Sequence, residues 1–350
     1  MILLALDWAF ILQKLILIAV VVSASLIIAM YSTYAERKVA AVMQDRRGPN
    51  RAGPFGILQP LADGMKLFFK EEIIPNSSNK FLFILGPCLA MLTAMMTSAV
   101  IPWGDKLEIF GTTVSLQIAD INIGILFVFG VVSLGVYGIM IGGWASNNKF
   151  SLLAALRGAS QVISYELAMG IALISLLMMT GSLSMKTIVE QQINDKYHLW
   201  NVVYQPLAFL IFFVCSMAEC NRAPFDLPEA ESELNMGFHQ EYSSMKLGFY
   251  LFSEYINMFI SSAVMATLFF GGYDMPFVNE AALSPNVAAL VGIVALMGKI
   301  FFFIFVFMWI RWTLPRFRYD QLMNLGWKGL IPLALANMVA TGAFILYFNK

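Results

Sequence analysis

Eight apolar runs, each long enough to cross a lipid bilayer, constrain this 350-residue chain more than any other feature. They fall near residues 9–34, 81–101, 121–143, 162–181, 202–219, 249–271, 288–310 and 329–348. At 1.5 Å per residue, about 20 apolar residues cross a hydrocarbon core of about 30 Å, so each run reads as a transmembrane helix. A barrel strand would instead alternate apolar and polar residues over about 10 positions. The composition agrees: 59% of residues are hydrophobic and 13% charged, where a soluble domain carries about 25% charged residues. Mean hydropathy is +0.74. The expected fold is all-α, a polytopic integral membrane helix bundle, with residues 1–350 forming a single membrane domain and no soluble module. The first run lacks a basic n-region and a clear small-residue cleavage site, so it is expected to be a span and not a cleaved signal.

Charge sets the expected orientation, because short cytoplasmic loops collect Lys and Arg. The loop after the first run carries Arg37, Lys38, Arg46, Arg47, Arg51, Lys66, Lys70 and Lys80. Loops after the third, fifth and seventh runs add Lys149, Arg157, Arg222, Lys246, Arg311, Arg316, Arg318 and Lys328. The other loops hold only Lys106, Lys186 and Lys196. Odd-numbered loops are therefore expected in the cytoplasm, or in the matrix of an organelle, with both termini on the opposite side. A net charge of zero hides this asymmetry.

Several motifs are missing from the sequence. No G-x-G-x-x-G follows a strand and no P-loop occurs, so no nucleotide site is visible. The histidines are His198 and His239, both in or beside loops, whereas a haem between helices usually needs an axial ligand inside the bundle. Cys88, Cys215 and Cys220 lack zinc or iron–sulfur spacing. If this chain serves redox chemistry, the electrons are expected to come from another chain.

Chemistry concentrates on the basic side. The first cytoplasmic loop, 34–80, contains ILQPLADGMKLFFKEE at 57–72, where Ile57, Leu58, Leu61, Met65 and Phe68 recur at helical spacing and Asp63, Lys66 and Lys70 mark another face. This predicts an amphipathic surface helix. Before it lies the basic turn Arg46-Arg47-Gly48-Pro49-Asn50-Arg51-Ala52-Gly53-Pro54, suited to a protein partner or lipid head groups. Glu36 beside Arg37 reads as an interfacial ion pair. The loop at 219–248 carries Asp226, Glu229, Glu231 and Glu233, and Glu166, Glu219 and Glu254 lie in the flanking runs at similar depth. Carboxylates beside hydrocarbon are costly, and seven together point to a wet polar funnel able to exchange protons. Lys299, inside the seventh run, is expected to face the bundle and pair with an acid. Asp120 is expected to cap the third span. Gly138 and Gly142 have the small-xxx-small spacing that permits close helix packing.

Six segments carry a family resemblance: AERKVAAVMQDRRGPNRAGPFG at 35–56, GILQPLADGMKLFFKE at 56–71, ISYELAMG at 163–170, AECNRAPFD at 218–226, PFDLPEAESELNMG at 224–237 and RWTLPRFRYDQLM at 311–323. In this order, and over essentially the whole chain, the sequence resembles the membrane subunit of respiratory complex I that closes the quinone chamber. This is the H-type subunit family of bacterial NADH:quinone oxidoreductase, equivalent to mitochondrial NADH dehydrogenase subunit 1. The resemblance implies one subunit of a proton-pumping translocase, not catalytic in isolation, in a bacterial plasma (inner) membrane. It implies quinone as substrate, no cofactor bound by this chain, and NADH, FMN and iron–sulfur clusters on partner subunits. Implied partners are the peripheral-arm subunits at the quinone site, the small and antiporter-like membrane-arm subunits, and the lipid bilayer, with no nucleic acid. It implies a quinone chamber shaped by Glu36, Arg37, Arg47, Asp63 and Lys66. It also implies a proton-coupling set of Glu166, Glu219, Asp226, Glu229, Glu231, Glu233, Glu254 and Lys299. Alternatives are the equivalent subunit of a membrane-bound hydrogenase or formate-hydrogenlyase complex, a stand-alone proton-coupled transporter, which predicts inverted repeats, and a purely structural anchor.

Overall fold

The structure, a computed structural model, describes residues 8–109, 112–194, 199–275 and 284–348. The first apolar run forms α1 (Trp8–Met43), and the following loop folds α2 (Gln59–Phe69). Then come α3 (Lys80–Thr97), α4 (Gly124–Ala145) and α5 (Lys149–Thr180). Between α3 and α4 an antiparallel hairpin pairs β1 (Lys106–Ile109) with β2 (Thr112–Ser115). Short helices α6 (Met185–Asn194) and α7 (Asn201–Tyr204) precede α8 (Pro206–Glu219). The acidic loop contains α9 (Glu231–Leu234). Long helices α10 (Ser244–Phe269) and α11 (Pro285–Thr313) follow. The chain closes with α12 (Tyr319–Asn324), a π-helical turn over Leu325–Leu330, and α13 (Ile331–Phe348).

The all-α membrane bundle holds. Among the described residues, seven helices are long and apolar enough to cross a membrane, with α12 through α13 counted as one. The run at 202–219 behaves differently. Its helix α8 has 14 residues, ~21 Å at the helical rise, against a hydrocarbon core of ~30 Å. The break falls at Gln205, whose φ of −131° and ψ of 59° lie outside the helical region, because a proline disfavours the helical conformation of the residue before it. Gln205 is buried, and its amide donates to Thr341 at 2.9 Å and accepts from Asn337 at 3.1 Å. Partners of this kind are what a polar group needs away from water. Asp120 does not cap α4; Ile123 occupies that position.

The amphipathic helix of the first loop forms, a little shorter than its pattern. Its apolar stripe, Leu61, Met65 and Phe68, points outward and is exposed on the isolated chain. The opposite side, with Pro60, Asp63, Gly64 and Leu67, turns toward α1 and α10.

The core crossing of α3 and α4 depends on missing side chains. A Cβ on Gly138 would lie 2.9 Å from the Ala90 nitrogen, and one on Gly86 would lie 2.9 Å from the Gly142 Cα. Tyr250 and Tyr242 exploit this closeness: their hydroxyls donate to the Gly138 and Gly142 carbonyls, each at 3.1 Å. A Cβ on Gly142 would lie 1.9 Å from the Tyr250 hydroxyl oxygen. Gly142→Ala is therefore expected to destabilise the bundle by ~1–3 kcal/mol, the usual cost of overpacking, and to lower the midpoint of thermal unfolding. An unchanged midpoint would show that the crossing relaxes without cost.

Candidate functional site

The basic and acidic side chains that the sequence scatters over 280 residues meet at one end of the bundle, and Glu36 is their centre. Near the end of α1, its carboxylate is buried and accepts from Arg222 at 3.0 Å and from the Tyr255 hydroxyl at 2.9 Å through one oxygen. Arg311 donates to the other oxygen. Arg222 follows α8, Tyr255 lies on α10 and Arg311 near the end of α11, so one carboxylate ties four segments together. The Arg222 guanidinium also stacks over the Tyr255 ring, 4.0 Å from its centroid. Burial alone would lower the Arg222 pKa. Tyr255, Glu36, Glu254 and Glu229 outweigh it and hold the guanidinium well above its ordinary value, so it stays charged. Arg37 is not the partner of Glu36. Adjacent helical positions point about 100° apart, and Arg37 instead pairs with Asp63 at 2.7 Å.

Behind this hub lie the carboxylates of the acidic loop. Arg316 donates to the Asp226 backbone carbonyl, and its side chain stands 4.0 Å from the Asp226 carboxylate. Glu254, buried on α10, meets the Glu229 carboxyl through a side-chain hydrogen bond. Glu219, at the end of α8, and Glu254 both line a cavity of about 40 Å³ together with Asn221, Ser253, Tyr250 and Asn257. A polar cavity needs on the order of 15 Å³ to hold one water, so this one has room for a short water chain. Buried oxygens of Asn221 and Glu254 in its wall have no hydrogen-bond partner among the described residues, and neither do buried oxygens of Gln161 and Asp226. Glu219 also lines a second, smaller cavity bounded by Val128, Phe212 and Ser261. Glu166, midway along α5, accepts from Ser133 of α4. Glu233 lies further out, paired with Arg157 at 2.6 Å. The Glu231 side chain lies outside the described residues, as does His198.

In front of the hub is a different space. A cavity of about 240 Å³ opens between α1, α2 and α10, lined by Met30, Thr33, Leu67, Leu251, Phe252 and Tyr255. The Arg37–Asp63 pair stands at its edge, and Gln59 holds the second Asp63 oxygen at 3.0 Å. Arg47 and Lys66 are exposed and do not line it. Beyond α2, Ser243 and Ser244 hydrogen-bond the 67–73 backbone, and Lys246 pairs with Glu72, fastening this wall to the start of α10.

Lys299 departs from the expected grouping. Its ammonium donates to the carbonyls of Phe270, Gly272 and Asp274 at 2.7, 2.9 and 2.7 Å and lies 4.7 Å from the Trp200 ring centroid. These carbonyls follow the C-terminus of α10, where unsatisfied acceptors and the helix dipole both favour a cation. Along α11 it stands 12 residues, ~18 Å, from Arg311. Tyr255, Arg222 and Arg311 are the site residues that sequence reasoning missed as a group; their only signal was an Arg or Tyr at the basic ends of apolar runs.

Comparison with known proteins converges on one family. The NADH dehydrogenase family model matches residues 15–342. The chain is 65% identical over 339 residues to the H-type subunit 1 of NADH-quinone oxidoreductase from Cytophaga hutchinsonii, covering 97% of this chain and 98% of that one. It is 63% identical to the H-type subunit of NADH-quinone oxidoreductase from Flavobacterium johnsoniae, covering 97% and 96%. Against the H-type subunit 1 of NADH-quinone oxidoreductase from Geobacter sulfurreducens it is 49% identical, covering 91% of each.

The acidic loop carries a measurable signature of its burial. Desolvation, and then the neighbouring Glu229 charge, push Asp226 up to about 7, against the opposing pull of Arg316, a Glu229 backbone hydrogen bond and Arg222. Asp226 therefore holds a proton below neutral pH and releases it above. Infrared titration of the purified protein is expected to show a carboxyl band lost between acid and alkaline pH near 7, and Asp226→Asn is expected to remove it. A band that persists unchanged in Asp226→Asn would reject the assignment.

Proposed function

The chain belongs to the NADH dehydrogenase family, and on that premise we propose that it is the quinone-chamber membrane subunit of a proton-pumping NADH:quinone oxidoreductase. In this reading it lines the access route of a quinone and couples quinone reduction to proton translocation. One observation carries the proposal: an apolar cavity edged by a charged pair stands directly in front of a buried carboxylate cluster, with a shared ionic hub between them. An isoprenoid tail suits the Met30, Leu67, Leu251 and Phe252 lining. Arg37 and Asp63 at the edge suit a polar head group passing toward the site where a partner subunit reduces it.

Reduction of a quinone takes up two electrons and two protons, which creates a local demand for charge. Asp226, Glu229 and Glu254 answer it by proton exchange, and Glu219 and Glu166 extend the route into the bundle. Glu231 and Glu233 belong to the outer part of the same loop. Glu36 organises the wall between cavity and cluster, while Arg47 and Lys66 act from outside as contacts for a partner. Lys299 serves the far end of the bundle as a cap on α10 and stands apart from proton exchange. The basic loops face the cytoplasm of a bacterium, the chain sits in the plasma membrane, and the electron carriers reside on neighbouring subunits. The hydrogenase-type alternative is less well supported, because relatives at 61–65% identity carry the quinone oxidoreductase name.

Two measurements on the assembled complex test this. Leu251→Trp fills the apolar cavity and is expected to raise the KM for quinone about tenfold, ~1.4 kcal/mol of lost binding, with kcat largely retained. An unchanged KM would remove the cavity from the quinone route. Glu229→Gln with Glu231→Gln is expected to lower quinone reduction and proton pumping together, by about threefold or more. Retention of both activities would end the coupling role.

A further inference from the structure

We propose that Tyr255 is a positioning residue that reports occupancy of the apolar cavity to the carboxylate cluster, through its single hydroxyl proton. The inference rests on the quinone reading of that cavity and adds the route by which a bound molecule is felt.

Helix α10 is the partition between the two cavities. Leu251, Phe252 and Tyr255 line the apolar one; Ser253, Glu254 and Asn257 line the polar one. At about 100° per residue these two sets face opposite sides of the helix. Tyr255 belongs to the apolar wall yet reaches the ionic hub. Its hydroxyl donates to the Glu36 oxygen that also accepts from Arg222, at 2.9 and 3.0 Å, and its ring carries the Arg222 guanidinium. Arg222 is buried, its Nε and Nη2 have no hydrogen-bond partner among the described residues, and its charge acts on Glu229, Glu254 and Asp226.

The consequence follows from stoichiometry. A phenol has one proton to donate. In the empty cavity it goes to Glu36. A quinone carbonyl arriving at the wall competes for it, and Glu36, still buried and charged, then leans harder on Arg222. A guanidinium drawn toward Glu36 neutralises less of the charge on the cluster. Weaker compensation favours the protonated form of a carboxylate, so occupancy on one face of α10 drives proton uptake on the other. No bond is made or broken in this step; a hydrogen bond changes acceptor and a cation shifts its balance.

Infrared difference spectra of the assembled complex, with and without an oxidised short-chain 1,4-benzoquinone and without NADH, read this directly. A carboxyl band is expected to change on quinone addition, and Glu229→Gln and Glu254→Gln are expected to remove the change. Tyr255→Phe keeps the ring and loses the hydroxyl: at saturating quinone the carboxyl signal is expected to fall by at least half. A full-sized signal in Tyr255→Phe, or none in the wild type, overturns the inference. If Tyr255→Phe does not assemble, Arg222→Lys replaces it, with the same loss expected and a full signal equally fatal. Failure of the underlying reading looks different: Leu251→Trp would then leave quinone binding untouched.

Discussion

The architecture of the charged end hangs on one buried carboxylate. Glu36 is held by two guanidiniums and a phenol from three other segments. Removing a charge from water costs several kcal/mol, and only good geometry with several donors offsets it. The geometry here is of that kind: both oxygens are occupied and the compensating Arg222 is itself buried against an aromatic ring. Such a hub adds little net stability over a well-packed apolar one, but it admits few alternative arrangements. It sets how α1, α10 and α11 approach, and so fixes where the apolar cavity stops and the acidic one begins.

The two cavities show how little chemistry this division needs. No metal-ligating group of three or more His, Cys, Asp or Glu occurs among the described residues. What the fold provides is a difference in environment across one helix: an apolar wall on one side, carboxyl groups with room for water on the other. Burial and the neighbouring Glu229 charge raise Asp226 to about 7.

Much of the fold was legible in the sequence, because hydrophobic length in a membrane is nearly sufficient to specify a helix. The amphipathic helix, the Gly138–Gly142 packing and the gathering of acids could also be read there. Pairing could not. Glu36 and Arg37 are neighbours in sequence, and that adjacency suggested a pair, yet the partners of Glu36 lie 186, 219 and 275 residues away. Lys299 sits in an apolar run, and nothing local says that its acceptors are carbonyls at the end of another helix. The short span at α8 hid behind continuous hydropathy, since Pro206 breaks the helix without interrupting the apolar run. The β1–β2 hairpin and α6 are too short for periodicity to declare them. Tyr255 was invisible for a related reason: a tyrosine in an apolar helix reads as packing until its hydroxyl is seen to reach a buried anion.

Helix α2 belongs to two masters. Its inner positions, Pro60, Asp63, Gly64 and Leu67, answer to the chain's own geometry, since they close the apolar cavity and hold Arg37. Its outer stripe of Leu61, Met65 and Phe68 is exposed on the isolated chain and answers to whatever surrounds it. The segment is fastened beyond its C-terminal side by hydroxyl contacts and the Lys246–Glu72 pair, and before the helix by the Tyr34 hydroxyl on the Phe55 carbonyl. The surroundings of that outer face thus bear on the cavity through the thickness of a single helix.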